Sequence, residues 1–433
     1  MVGYDQSILY SVKKIPPAAA GVPVQAEKYK GTLCLGAAPP RGPAGRSKMT
    51  EILRHGIVCA SDGSLRSYYG WPTVAKMEDG TLIAAASGER MAHVCPWGRT
   101  VLWESRDQGE TWSRTHIVHD SPIDDRDAGI TPLTDEKMLV SWFTSDTRIY
   151  QDSVAALPPP RGDLSLTVIR GWDDTLVSRY QGAFVMTGSL GGQWNAPVEI
   201  GVTAPHGPIR LDDGTLLYLG KAYSSEDGVQ RRYRGLGHPR PARLRPIDYT
   251  QPILCLASYD DGDNWEAVGQ VDQLGGFDNA NLHEPHVAQL PGGRLVGVIR
   301  TQWAGEHRFH RPFSMAVTFS DDHGLTWSPL APLDVSGSPP HLLLHSSGVL
   351  ILSYGYRAAS EGGPDVGSGQ RALLSYDGGA SWSEPVILRD DGPDGDLGYP
   401  ATCELDDGTL MTVYYQKQHP GENCSILYTR WKL

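Results

Sequence analysis

The chain has 433 residues, a net charge of −12 at neutral pH, 50 glycines, 32 prolines and an aromatic content of 9%. The negative balance argues against a nucleic-acid partner. Turn-rich composition without any long helical periodicity argues against a helical protein, and the lack of a transmembrane run or signal-like apolar segment makes a cytoplasmic location, away from the membrane, the expectation.

Residues 1–48 carry Pro/Ala/Gly-rich stretches and are expected to be a disordered extension, with Met49 a candidate start and residues 49–433 forming the folded domain. Residues 52–59 read as an apolar strand. Beyond them a hairpin pattern occurs six times, at residues 71–82, 128–139, 206–216, 284–295, 340–350 and 399–410. Each copy reads as strand, tight Asp-Gly-like turn and strongly apolar strand. A second pattern, Ser-x-Asp-x-Gly-x-Thr/Ser/Asn-Trp, is interleaved at residues 105–112, 258–265, 320–327 and 375–382, with a degenerate copy at 187–194. In that turn the Asp accepts hydrogen bonds from the turn's own backbone, the Gly takes positive φ and the Trp packs beneath the hairpin.

Six hairpins of the first kind and the Trp-ending turns give six four-stranded antiparallel units, an all-β six-bladed propeller. The sixth unit has its third strand at residues 425–431 but no fourth after it. Residues 52–59 are expected to supply that strand and so close the ring. The cysteines Cys34, Cys59, Cys95, Cys255, Cys403 and Cys424 show no metal-ligand spacing and are expected to be free, mostly buried thiols. No cofactor or metal is predicted.

In a propeller the innermost strands surround the axis, so the residues that open them form a ring although they are distant in sequence. That ring contains Tyr68, Tyr69 and Trp71; Asp124, Asp125 and Asp127; His206; His283, Glu284 and His286; His341; and Tyr399. Arg90 and His93, after the first unit's second strand, are expected on the same face. Imidazole, carboxylate and phenol groups so gathered are unusual for packing alone. Each also has a structural alternative, as a packed aromatic or a charge paired between blades.

The repeated Trp-ending turn resembles the Asp box of the sialidase superfamily of BNR-repeat propellers, over roughly residues 52–433. The resemblance implies a Tyr nucleophile activated by a Glu, an acid/base group and three arginines on a substrate carboxylate. Tyr suits such a substrate because a carboxylate nucleophile would be repelled by it. On this pattern Tyr399 is the nucleophile, Glu284 its base, and Arg300 and Arg371 the second and third arginines. The first arginine is missing, for the matching segment reads Tyr69-Gly-Trp-Pro72. The acid/base Asp is also missing, which leaves His93 or Glu89 for that role. Arg90, Asp127, His206, His283, His286, His341 and Trp71 are expected substrate-binding residues.

The leading expectation is therefore a sialidase-like exo-glycosidase acting on a terminal acidic sugar of a glycan. A lyase working on a uronate by β-elimination and a non-catalytic glycan-binding propeller are the alternatives. The basic segment 230–245 is read either as a lid over the mouth or as a solvated surface loop.

Overall fold

The computed structural model describes residues 50–134, 136–223, 251–273, 276–277, 280–303, 313–358 and 367–433. The expected N-terminal extension, Cys34 and the basic segment 230–245 lie outside them. The described strands form six antiparallel sheets arranged as the blades of a propeller. Blade 1 runs outward through Tyr68–Lys76, Leu82–Arg90, Arg99–Ser105 and His116–His119, and blade 2 through Asp124–Pro132, Met138–Ser145, Ala183–Gly188 and Val198–Glu199. Blade 3 has a broken inner strand, Val202–Thr203 and Ile209–Arg210, both paired with Leu216–Ala222, followed by Ile253–Ser258 and Glu266–Val271. Blade 4 comprises Ala280–Gln289, Leu295–Trp303, Ser314–Ser320 and Ala331–Leu333. Blade 5 comprises Pro340–Leu344, Leu350–Tyr356, Gly369–Ser375 and Val386–Arg389.

Blade 6 consists of Gly398–Glu404, Leu410–Gln416 and Ser425–Lys432, and its outer strand is Glu51–Cys59. The pairs Ile52↔Trp431 and Ile57↔Leu427 fix that register. The first described strand thus closes the ring against the last, as the sequence predicts.

Between neighbouring blades lie apolar layers built from both sheets. Val74, Leu82 and Trp103 of blade 1 meet Ala401, Met411 and Tyr415 of blade 6, and Leu219 and Cys255 of blade 3 meet Leu295 and Ile299 of blade 4. Corresponding layers fill the other four junctions. The Trp-ending turns join third and fourth strands. In the first, Asp107 accepts from the Thr111 N–H at 2.9 Å, from the Thr111 hydroxyl at 2.5 Å and from Ser105 at 2.8 Å, while the Ser105 hydroxyl accepts from the Gly109 N–H at 2.9 Å. Asp260, Asp322 and Asp377 repeat the pattern. Gly109 sits at φ 83°, a conformation that favours glycine.

One feature departs from the sequence reading. Between the second and third strands of blade 2 the chain forms a 3₁₀ turn, Thr147–Tyr150, and helices Gln151–Ala155, Arg161–Ile169 and Asp174–Tyr180. Asp146 and Asp173 cap two of these elements through the N–H groups of Arg148 and Leu176. The segments are too short to show sustained periodicity, and they are held by a small core of their own, Ile123, Val154, Ile169, Trp172 and Val177. No described helix is long and apolar enough to cross a membrane.

Candidate active site

Four blades carry the same irregularity on the innermost strand. The ladder to the second strand slips between Gly70 and Thr73, Arg126 and Gly129, His283 and His286, and Gly398 and Ala401. At each slip one residue adopts the left-handed conformation: Trp71 (φ 55°), Asp127 (51°), Glu284 (45°) and Tyr399 (52°). Such a residue costs about 1–3 kcal/mol when it is not glycine. A bulge re-aims the side chain it carries, so four bulges at matching positions turn four side chains toward one mouth.

Tyr399 and Glu284 meet there. The Tyr399 hydroxyl donates to Glu284 Oε1 at 2.5 Å, and Arg300 Nη1 donates to Glu284 Oε2 at 2.5 Å and to Tyr399 Oη at 3.4 Å. Tyr399 and Arg300 are almost wholly buried. Burial raises the Tyr399 phenol well above its ordinary range, the Glu284 and Asp127 charges add to that, and Arg300 opposes it. Arg300 lies over the Phe313 ring, and its Nε has no hydrogen-bond partner among the described residues.

Asp127 faces the same group from blade 2. Its carboxyl is pushed up to about 7, first by burial and then by the Glu284 charge, with Arg126, Arg90 and Arg300 pulling the other way. From blade 3, Lys221 donates to Asn281 at 3.0 Å and to His283 Nδ1 at 2.8 Å. Burial brings its amine down to about 7, against the Glu284 charge and with that of Arg300. His283 therefore serves as the acceptor for Lys221.

Trp71 forms another wall. Its ring lies 6.4 Å from that of Tyr399 and 4.9 Å from that of His93, and the Arg126 guanidinium stacks on it at 4.1 Å. His93 Nδ1 lies 2.9 Å from Asp396 Oδ1, which also accepts from Tyr68 at 2.9 Å. Burial lowers the His93 imidazole despite the Asp396 charge. His93 thus reaches the mouth as part of a Tyr68–His93–Asp396 cluster beside Trp71, with no bond to Tyr399 or Glu284.

Other expected residues are placed differently. Arg371 donates to the carbonyls of Gln370, Arg389 and Gly367, at 3.0, 2.5 and 2.7 Å, and joins none of the contacts of the Tyr399 cluster. Arg90, fully buried, forms a two-pronged pair with Asp124 at 2.5 and 2.9 Å and lies over Trp71, so it supports the wall from behind. Asp125 accepts from Ser121 at 2.6 Å, and Glu89 pairs with Arg99.

His206, His286 and His341 turn to one another instead of lining an open mouth. Their ring centroids are 4.4–5.6 Å apart, and all three are buried. His286 Nδ1 accepts from the Leu342 N–H at 2.9 Å and His341 Nδ1 from the Thr402 N–H at 3.3 Å, while His206 Nδ1 lies 3.0 Å from the Thr73 hydroxyl. Burial holds all three neutral. Among the described residues no group of His, Cys, Asp or Glu is arranged to hold a metal ion.

Arg126, Lys221, Asp396 and Phe313 were not singled out by the sequence reading. Arg126 stands in the acidic run 124–127 and Asp396 two residues before Gly398, so position within the repeat marked both. Lys221 ends an apolar strand and carries no such mark.

Residues 154–413 match the BNR repeat-like domain. No curated protein matches the chain in sequence. Among solved structures, a protein of unknown function from Dyadobacter fermentans superposes with TM-score 0.64 at 19% identity, over 89% of this chain and 99% of that one. The NanB sialidase of Streptococcus pneumoniae gives TM-score 0.56 at 12% identity, over 87% and 70% of the two chains. An α-L-arabinofuranosidase of Fusarium graminearum gives 0.54 at 13%, over 88% and 97%. At these identities the likeness is one of fold, a propeller shared with glycoside hydrolases.

Proposed function

The chain belongs to the BNR repeat-like domain family, and on that premise we propose that its mouth hydrolyses the glycosidic bond of a terminal acidic sugar. The observation that carries this reading is the contact of Tyr399 with Glu284, 2.5 Å long and flanked by Arg300. A phenol raised by burial is a weak nucleophile until its proton has a destination, and Glu284 Oε1 is in line to take it. The Tyr399 oxygen then attacks the anomeric carbon while Arg300 offsets the charge that develops on it. Arg300, with an unpartnered Nε, and Lys221 are the cations beside Glu284 that would face the substrate carboxylate.

A neutral terminal sugar is the second reading, favoured by Arg371. Its guanidinium is committed to backbone carbonyls, and Trp71 stands where the resemblance puts the first arginine, so a three-arginine grip is not assembled. The fold shared with an arabinofuranosidase as well as with sialidases suits either substrate.

Turnover of aryl α-sialosides, aryl uronides and aryl α-L-arabinofuranosides, with product analysis, decides between them. Release of the free sugar from a sialoside or uronide supports the acidic reading, and release from the arabinofuranoside alone supports the neutral one. An unsaturated product absorbing in the near ultraviolet would indicate elimination and overturn both. So would hydrolysis left intact by Tyr399→Phe and Glu284→Gln.

A further inference from the structure

We propose that Asp127 is the acid that protonates the departing glycosidic oxygen and the base that later activates water, an assignment that rests on Tyr399 as nucleophile. Hydrolysis through a sugar–enzyme intermediate needs both functions from one group near the nucleophile. The acidic or basic side chains available to the mouth are Glu89, His93, Lys221, Glu284 and Asp127, and of these Lys221 is held by Asn281 and His283. Glu284 is already bonded to Tyr399 and Arg300. Glu89 is paired with Arg99, and His93 is tied to Asp396 and lies against Trp71.

Asp127 differs from all of them. It occupies the same bulge position as Glu284 and Tyr399, with the same left-handed backbone, and it is 7% exposed. Its carboxyl makes no hydrogen bond or ion pair among the described residues, although an unpaired carboxylate at that depth is costly. A strained, buried and unpartnered carboxyl is hard to explain as a structural element. A proton on it, or a hydrogen bond to substrate, removes the penalty. The groups that face it are Glu284 and Arg300 of blade 4, Tyr399 of blade 6, Arg90 of blade 1, Tyr218 of blade 3 and its neighbour Arg126. Burial first and then the Glu284 charge, against the pull of the three arginines, bring the Asp127 carboxyl up to about 7.

The cycle balances. The C–O bond to the leaving group breaks as its oxygen takes the Asp127 proton, while Tyr399 Oη bonds to the anomeric carbon and its own proton passes to Glu284. Water then attacks that carbon and gives a proton to the Asp127 carboxylate, and Tyr399 departs as it recovers its proton from Glu284.

The test uses the full chain and whichever aryl glycoside of the panel above the wild type hydrolyses, prepared with dinitrophenyl, nitrophenyl and phenyl leaving groups. In Asp127→Ala, release of phenol should fall by ~10²–10⁴-fold. Release of dinitrophenol, which needs no acid, should fall less than about tenfold in the bond-breaking step, read from the burst of the first turnover. The alkaline limb of the pH profile should vanish for the phenyl substrate, and azide should restore turnover of the dinitrophenyl one as a glycosyl azide. The isosteric Asp127→Asn guards against misfolding and should behave alike. Equal losses across all leaving groups in both variants would overturn the assignment, as would the same leaving-group dependence in His93→Gln. If the wild type hydrolyses no glycoside of the panel, the glycosidase reading fails and this assignment with it.

Discussion

Acid should weaken this propeller through the three histidines packed at its centre, and His286 allows the effect to be sized. Its imidazole is brought down to about 3 by burial, against roughly 6.5 in an unfolded chain. A group whose folded pKa is depressed in this way takes up protons in the unfolded state first. Above pH 6.5 it contributes nothing, and below that stability falls by about 1.4 kcal/mol per pH unit until the folded pKa is reached. Between pH 6.5 and 4.5 His286 alone should cost about 2.7 kcal/mol, with His206 and His341 acting in the same direction. Asp127 acts oppositely in this window, since its raised carboxyl stabilises the fold as pH falls below about 7. A comparison of two proteins that both keep Asp127 removes its contribution. In His286→Asn the amide oxygen can still accept from the Leu342 N–H, but nothing titrates. The variant should lose about 1–3 kcal/mol at pH 7.5 from poorer packing. Its further loss on going to pH 4.5 should be smaller than that of wild type by about 2.7 kcal/mol or more, because His206 and His341 are also relieved of a neighbouring imidazole. Urea unfolding followed by tryptophan fluorescence at several pH values reads the difference. Parallel pH dependences for the two proteins would refute the argument.

Tyr399→Phe should reduce hydrolysis by on the order of 10³-fold or more and Glu284→Gln by a similar factor, with the double variant no worse than either, because the two act as a unit; this is read from kcat/KM on the responsive glycoside. Asp322→Ala removes the acceptor for the Thr326 N–H and for the Thr326 and Ser320 hydroxyls in an outer turn. It should lower stability by about 1–2 kcal/mol while kcat stays within about twofold, as melting and steady-state rates will show. Asp124→Asn strips the fully buried Arg90 of its counter-charge, which should destabilise the fold by about 3–5 kcal/mol. In that variant the fluorescence of Trp71, on which Arg90 stacks, should also change in the folded state.

How far the sequence carries depends on whether a feature is local. The Ser-Asp-Gly-Thr-Trp turn is satisfied almost entirely by bonds within eight residues, as at Asp107, so its chemistry is written in the order of its letters. Counting from such turns located the blades, the closing strand at residues 52–59 and the heads of the inner strands where Glu284 and Tyr399 stand. The helices of blade 2 escaped because Gln151–Ala155 and Asp174–Tyr180 are short and depend on a shared core for their stability. Arg371 shows the limit most clearly. Its place in the repeat puts its Cα near the expected strand position, but whether a guanidinium turns to the axis or to the carbonyls of Gly367 and Arg389 is decided by the loops that close over it. The same reasoning separates Asp127 from Asp124 and Asp125, which differ in sequence by only a few positions. In an alternating strand Asp125 and Asp127 would share a face. The bulge between Arg126 and Gly129 breaks that alternation, so Asp125 is bonded to Ser121 and His119 while Asp127 is left in the mouth without a partner. A bulge of this kind inserts one residue without altering the apolar pattern around it. It is therefore nearly silent in composition and periodicity, yet it determines which carboxyl is left unpaired beside Glu284 and Tyr399.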